Sequence, residues 1–179
     1  MPCRPHLTVP SPRRRRLVPL PAVVALPLTL VLTACGGPVE VDVPRLSAAD
    51  RAVCDAFVDG LGDTFAEQER VETDPADAPA AAYGDPAIVV TCGVGKPPGF
   101  DLTASCEQAD GVGYYIPDEQ YQDQDSDVTL FAAGYRPRIE VAIPAEYRPN
   151  AVAAAMSVLA PLVEKHLELV EPCDDGGQS

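Results

Sequence analysis

Three aspartates at alternate positions, Asp123-x-Asp125-x-Asp127, are the first grouping in this chain whose types and spacing suit a cation. Carboxylates so placed repel one another unless a positive charge lies among them, and calcium takes oxygen ligands of this kind. An EF-hand loop opening at Asp123 needs glycine at its sixth position and glutamate at its twelfth, where Val128 and Gly134 stand. Asp123, Asp125 and Asp127 are left as a weak, non-EF calcium candidate, and a solvated acidic loop is the preferred reading. The second grouping is Tyr135-Arg136-Pro137, repeated as Tyr147-Arg148-Pro149 with Arg138 between them. Tyrosine and arginine are favoured anchors of protein interfaces, and arginine grips carboxylates with two parallel hydrogen bonds. Tyr135, Arg136, Arg138, Tyr147 and Arg148 are therefore the candidate interaction face. The preferred alternative is that these arginines make internal salt bridges, with their stems packed beside the tyrosines.

Other groupings carry less. His166 falls at the edge of an apolar stripe near the end of a predicted helix. It reads as a half-buried packing residue in preference to a general base or pH switch. Gly93-Val94-Gly95-Lys96 lacks the first glycine and the final Ser or Thr of a phosphate loop, and no G-x-S-x-G elbow is present. No catalytic residue and no cofactor is assigned. Cys54, Cys92, Cys106 and Cys173 contain no C-x-x-C and match no zinc spacing, so they are read as two structural disulfides. Of the three possible pairings, Cys92–Cys106 as a local clip and Cys54–Cys173 as a long staple are favoured.

The elements that must hold these residues follow from periodicity. Val39–Val43 alternates and suits a short strand or extended lead-in. Ser47 and Asp50 form a capping box, followed by Val53, Cys54, Phe57, Val58 and Leu61 on one helical face. Asp74–Ala82 reads as an exposed loop. Ala87–Cys92 is a β-branched strand. Asp110-Gly111 predicts a hairpin between Thr103–Ala109 and Val112–Ile116. Asp118–Asp127 is a second acidic loop. Val128–Tyr135 and Ile139–Ile143 form a hairpin turned at Arg136-Pro137-Arg138. A last helix opens near Pro149 and carries Val152, Met156, Leu159, Val163 and Val170, with Pro161 expected to kink or split it. The order predicts an α+β domain: a small antiparallel sheet of four to five strands, backed by an N-terminal and a C-terminal helix and stapled by disulfides.

Charge divides the chain sharply. Residues 1–34 hold five of the thirteen Lys+Arg and none of the twenty-seven Asp+Glu, so residues 35–179 carry eight basic against twenty-seven acidic residues, net −19. A body so acidic repels nucleic acid, which is excluded as a partner. Arg13–Arg16, an apolar run from Leu17 to Leu32 broken by three prolines, and Leu32-Thr33-Ala34-Cys35 stand in the order of an export signal. The run is too short to span a bilayer comfortably. Leu-Thr-Ala-Cys resembles the lipobox of bacterial lipoproteins, which implies diacylglyceryl attachment at Cys35 after cleavage. The arginine run also resembles a twin-arginine signal, weakly.

The resulting division is a lipoprotein signal peptide (1–34), a lipidated cysteine and tether (35–44), one extracytoplasmic domain (45–173) and a disordered tail (174–179). The mature chain is expected on the outer face of the cell membrane, held by lipid with no transmembrane helix.

Three segments together resemble a family of small actinobacterial lipoproteins classed as a domain of unknown function, number thirty-five-fifteen. They are Val41-Asp42-Val43-Pro44 with Leu46-Ser47, Gly84-Asp85-Pro86 through Cys92-Gly93-Val94, and Ile143-Pro144-Ala145 through Tyr147-Arg148-Pro149. The resemblance covers nearly all of residues 38–170 and matches least at Asp123–Asp127. It implies localisation and a shared domain and brings no activity. The reading is a membrane-anchored, non-enzymatic binding or accessory module of the cell envelope, with an envelope protein as a possible partner. The alternatives are an envelope hydrolase using carboxylates of the acidic loops, or a weak calcium-binding domain.

Overall fold

The computed structural model describes residues 37–173 apart from Leu102. The signal segment, Cys35 and the 174–179 tail lie outside the described residues. The chain enters through strand β1 (Val39–Glu40). Helix α1 (Ala48–Gly60) starts at the expected cap: Ser47 Oγ accepts the Asp50 amide at 3.1 Å and donates to the Asp50 carboxylate at 2.8 Å. Its buried face carries Cys54, Phe57 and Val58, and Leu61 closes it.

Four strands then crowd into twenty residues: β2 (Thr64–Phe65), β3 (Gln68–Val71), β4 (Thr73–Asp74) and β5 (Ala80–Tyr83). The long strand β6 (Ile88–Val94) follows. Next comes the hairpin of β7 (Glu107–Ala109) and β8 (Val112–Tyr114). Its corner residues Asp110 and Gly111 have φ of +48° and +85°, the positive pair that a type I′ turn requires. A short helix α2 (Asp118–Gln122), β9 (Val128–Ala132), β10 (Tyr135–Arg136) and β11 (Arg138–Ile143) lead to a 3₁₀ turn at Ala145–Tyr147. Helix α3 (Arg148–His166) and β12 (Glu168–Leu169) complete the fold.

The main sheet has six strands in the order β2-β3-β5-β6-β11-β9, every neighbouring pair antiparallel. The α+β class is as expected, with one strand more than four to five. Ile139, Val141 and Ile143 of β11 alternate inward beside Val90 and Cys92 of β6. Helices α1 and α3 cover this face, where Phe57, Leu159 and Val163 join the same core. A smaller cluster of Phe100, Tyr115, Phe131 and Ala133 forms a second core.

Three expectations are corrected. Asp74–Ala82 is not all loop: Ala80, Ala81 and Ala82 are buried in β5, paired to β6. Alanine has little β preference of its own; the strand exists because it is buried on both faces, with only Ala81 of the three joining the core under the helices. The last helix is not split at Pro161 and does not reach Val170, which is 44% exposed. After Leu167 the backbone turns out and Glu168–Leu169 pairs with Tyr135–Arg136 instead.

The disulfides also pair differently, as Cys54–Cys92 and Cys106–Cys173. Cys92 alternates with Ile88 and Val90 onto the core face of β6 and meets Cys54 on the core face of α1. The early end of α3 frees the tail to bring Cys173 to Cys106.

Candidate functional site

The residues singled out in the sequence do not gather at one place. Arg138 and Arg148 lie at opposite ends of β11, whose six residues span about 17 Å. Both side chains are buried and turned inward. Arg148 donates to the carbonyls of Asp123 at 2.6 Å, Ser126 at 2.9 Å and Gln120. It therefore acts as a cation plugged into the acidic loop through backbone oxygens. Tyr147 is half-buried. The expected interaction face is thus not an exposed face; internal bonding takes these arginines.

At the other end, Glu171 collects three cations. Its carboxylate lies 2.7 Å from Arg136, 3.0 Å from Arg138 and 3.6 Å from Lys96. Arg138 also donates through Nε to Ala133 O at 2.8 Å. The hydrogen bond from Arg136, ahead of the charges of Lys96 and Arg136, holds the Glu171 carboxyl below its ordinary range. Burial, then the charge of Arg136, pulls Arg138 down.

The three aspartates are dispersed. Asp123 accepts the Asp125 amide at 3.1 Å, and Asp127 accepts the Ala145 amide at 2.9 Å. Among the described residues no cluster of three His, Cys, Asp or Glu side chains is placed to hold a metal. His166 is half-buried, with Nε2 enclosed and without a hydrogen-bond partner near Gly60.

What sequence reasoning missed is a cleft of 1020 Å³ between α1 and the β3–β4 segment. Five exposed carboxylates line it: Asp55, Asp59, Glu72, Asp74 and Asp77. Its two arginines are held by the protein itself. Arg51 pairs with Asp55 at 2.7 Å and donates to Asp77 O; Arg70 donates to Leu61 O at 3.1 Å and lies over the Tyr83 ring. Pro38 stands on the rim, and β1 is bonded parallel to β4 there, with the Val39 amide on Glu72 O at 2.8 Å. The signal was present as acidic residues repeating through 55–77, but their segment reads as loop. One further carboxylate stands out: Glu140 on β11 is half-buried, and burial, then the charge of Asp42, raises it.

Residues 17–171 match the family model described as a protein of unknown function, DUF3515. The chain belongs to that family. No curated protein and no solved structure matches it. This DUF3515 domain runs in the match from the apolar N-terminal run to Glu171, so the cleft and the three-cation cluster both fall within it. Among the described residues no helix is long and apolar enough to cross a membrane.

Proposed function

We propose that this DUF3515 protein is a lipid-anchored, extracytoplasmic accessory module that binds an envelope protein through its cleft and performs no catalysis of its own. One observation carries the reading: Pro38, directly before the first strand at Val39, lines the cleft. From Cys35 to Val39 the chain spans at most about 14 Å. Acylation at Cys35 therefore holds the cleft at the membrane-proximal end of the domain, within reach of segments that emerge from the bilayer. Two further features support it. Both disulfides are formed, as suits an oxidising compartment. The cleft leaves its acids exposed while its arginines are engaged, which favours a basic surface over an acidic one.

Two measurements test this. Cys35→Ser in the full chain is expected to move the protein from the membrane to the soluble fraction; continued membrane association overturns the anchor. A photo-crosslinking residue in place of Asp59 is expected to capture one dominant envelope protein, while the same probe at Asp125 does not. Equal capture from both positions overturns the assignment to the cleft.

A further inference from the structure

The segment after α3, Leu167–Cys173, lies across the fold as a strap rooted in the core by buried Leu167; beyond that residue it buries little of itself, with Leu169 52% and Val170 44% exposed. It is held by main-chain bonds. Glu168–Leu169 pairs antiparallel with Tyr135–Arg136, and the amides of Val170 and Glu171 both donate to Gly134 O, at 2.9 and 3.0 Å. The floor beneath it is glycine. A Cβ on Gly134 would strike the Glu171 carbonyl, and one on Gly113 would come within 3.0 Å of Cys173 Sγ. The strap does not fill the space it covers, and a cavity of 150 Å³ remains beside Tyr135, Gly111 and Gly113.

At its far end the Glu171 carboxylate enters the cluster of Lys96, Arg136 and Arg138. These are three of the eight basic residues of the acidic body. The strand edge of Tyr135–Arg136 on which the strap pairs, a glycine floor that admits a backbone, and a terminal cation pocket together make a site for an extended peptide bearing a carboxylate. The two disulfides differ in access. Cys54 and Cys92 are fully buried, whereas Cys106 and Cys173 are only half-buried.

We infer that the Leu167–Cys173 strap is a detachable intramolecular ligand of a carboxylate-binding groove, locked by Cys106–Cys173, and that the groove's external ligand is an extended acidic segment of a partner polypeptide. Unlocking is a two-electron reduction by a dithiol of the thioredoxin class. One thiolate of the reductant attacks a sulfur of the Cys106–Cys173 bond and the other sulfur leaves as thiolate. The second reductant thiol then resolves the mixed disulfide, giving Cys106 and Cys173 thiols and an oxidised reductant. The strap is then free to exchange with the partner segment, while Cys54–Cys92 keeps the core closed.

The test uses the full chain. With Cys173→Ser, hydrogen exchange at the Val170 and Glu171 amides is expected to rise at least about tenfold while the β6–β11 amides stay protected. Unchanged exchange overturns the lock. A fluorescent peptide of residues 167–173 carrying Cys173→Ser is then titrated onto a chain carrying Cys173→Ser and Glu171→Gln, whose own strap has lost its carboxylate. Saturable binding is expected, absent on the oxidised native chain. It should weaken at least about tenfold when the peptide also carries Glu171→Gln. Binding that ignores the glutamate, or no binding, overturns the groove. Should the double variant not fold, the native chain after limited dithiothreitol treatment decides both points, with mass mapping of free thiols. Cys106 and Cys173 must label before Cys54 and Cys92, or the inference fails.

Discussion

The cleft beside α1 and the strap beside β10 are both charged, yet they are opposite in construction. The cleft wall is fixed: α1 is capped by Ser47, fastened to β6 by Cys54–Cys92 and packed into the main core. Its acids are left to solvent. The strap is hung on the fold by a few backbone bonds, one half-buried disulfide and a carboxylate that the protein satisfies with its own cations. In the first region rigidity leaves charge available; in the second, satisfied charge supplies the hold. The difference teaches where to look for partners: an open site needs a stiff scaffold, whereas a closed one needs a releasable part.

The largest expected effect separates the two disulfides. Loop-closure arithmetic gives about 4 kcal/mol for each, slightly more for the longer Cys106–Cys173 loop. The geometry reverses that order. Cys54→Ala with Cys92→Ala opens space in the core besides removing the cross-link, so denaturant titration should show a loss of about 4 kcal/mol or more. Cys106→Ala with Cys173→Ala lets the strap detach within the folded state, which recovers entropy and lowers the cost. Equal losses would mean that the strap is as integral as the helix.

Next come the arginines. Arg138→Gln removes the shorter of two bonds to the Ala133 carbonyl, leaving only the 3.2 Å bond from Arg136, together with a cation of Glu171, and should cost about 1–3 kcal/mol. Arg70→Gln, at the cleft, loses one bond to a part-buried carbonyl and should cost about 1 kcal/mol. Both are read from midpoints of chemical unfolding. An Arg70 variant that is the weaker of the two would show that the cleft, too, depends on internal pairing.

Acid titration sharpens the comparison in sign. Glu171 is held below its ordinary range, so its contribution is present above the usual carboxylate value and is lost as pH falls below it. Glu140 is raised, so its burial is best tolerated when protonated, and its destabilising share grows as pH rises through the folded value. Stability measured against pH should therefore lose acid sensitivity in Glu171→Gln and lose part of its decline above the carboxylate range in Glu140→Gln. Identical curves for both variants would deny the opposite shifts.

Much of the scaffold was legible because it repeats a period: the Ser47 cap, the Ile139–Ile143 alternation and the Asp110-Gly111 turn each declare themselves locally. Three strands of the main sheet, β2, β3 and β5, did not: the first two are short and polar, and Ala80-Ala81-Ala82 becomes a strand only through burial. The disulfide pairing was hidden for a related reason. It depends on which layer each cysteine enters, and spacing along the chain does not encode depth. The Tyr-Arg-Pro repeat was visible, and internal pairing of its arginines was the preferred reading; their particular acceptors were not legible, since Glu171 and the carbonyls of Gln120, Asp123 and Ser126 lie far off in sequence. The cleft was missed because its walls come from a helix and a segment that reads as loop.

The smallest expected effect on stability bears most directly on function. Asp59 and Asp77 line the cleft and are exposed, so Asp59→Asn with Asp77→Asn should change unfolding free energy by no more than about 0.5 kcal/mol. Removing two negative charges eases the self-repulsion of an already acidic fold, so a slight rise in melting temperature is expected. Partner capture should move the other way. Exposed charges act mainly on the rate of encounter, so crosslinking yield from the full chain should fall and its salt dependence should flatten. The contrast with Arg138→Gln is what decides: that change weakens the fold at the strap while leaving the cleft's acids in place. If capture falls with Arg138→Gln and not with the paired asparagines, the open cleft is merely a solvated face, and the partner reads the strap instead.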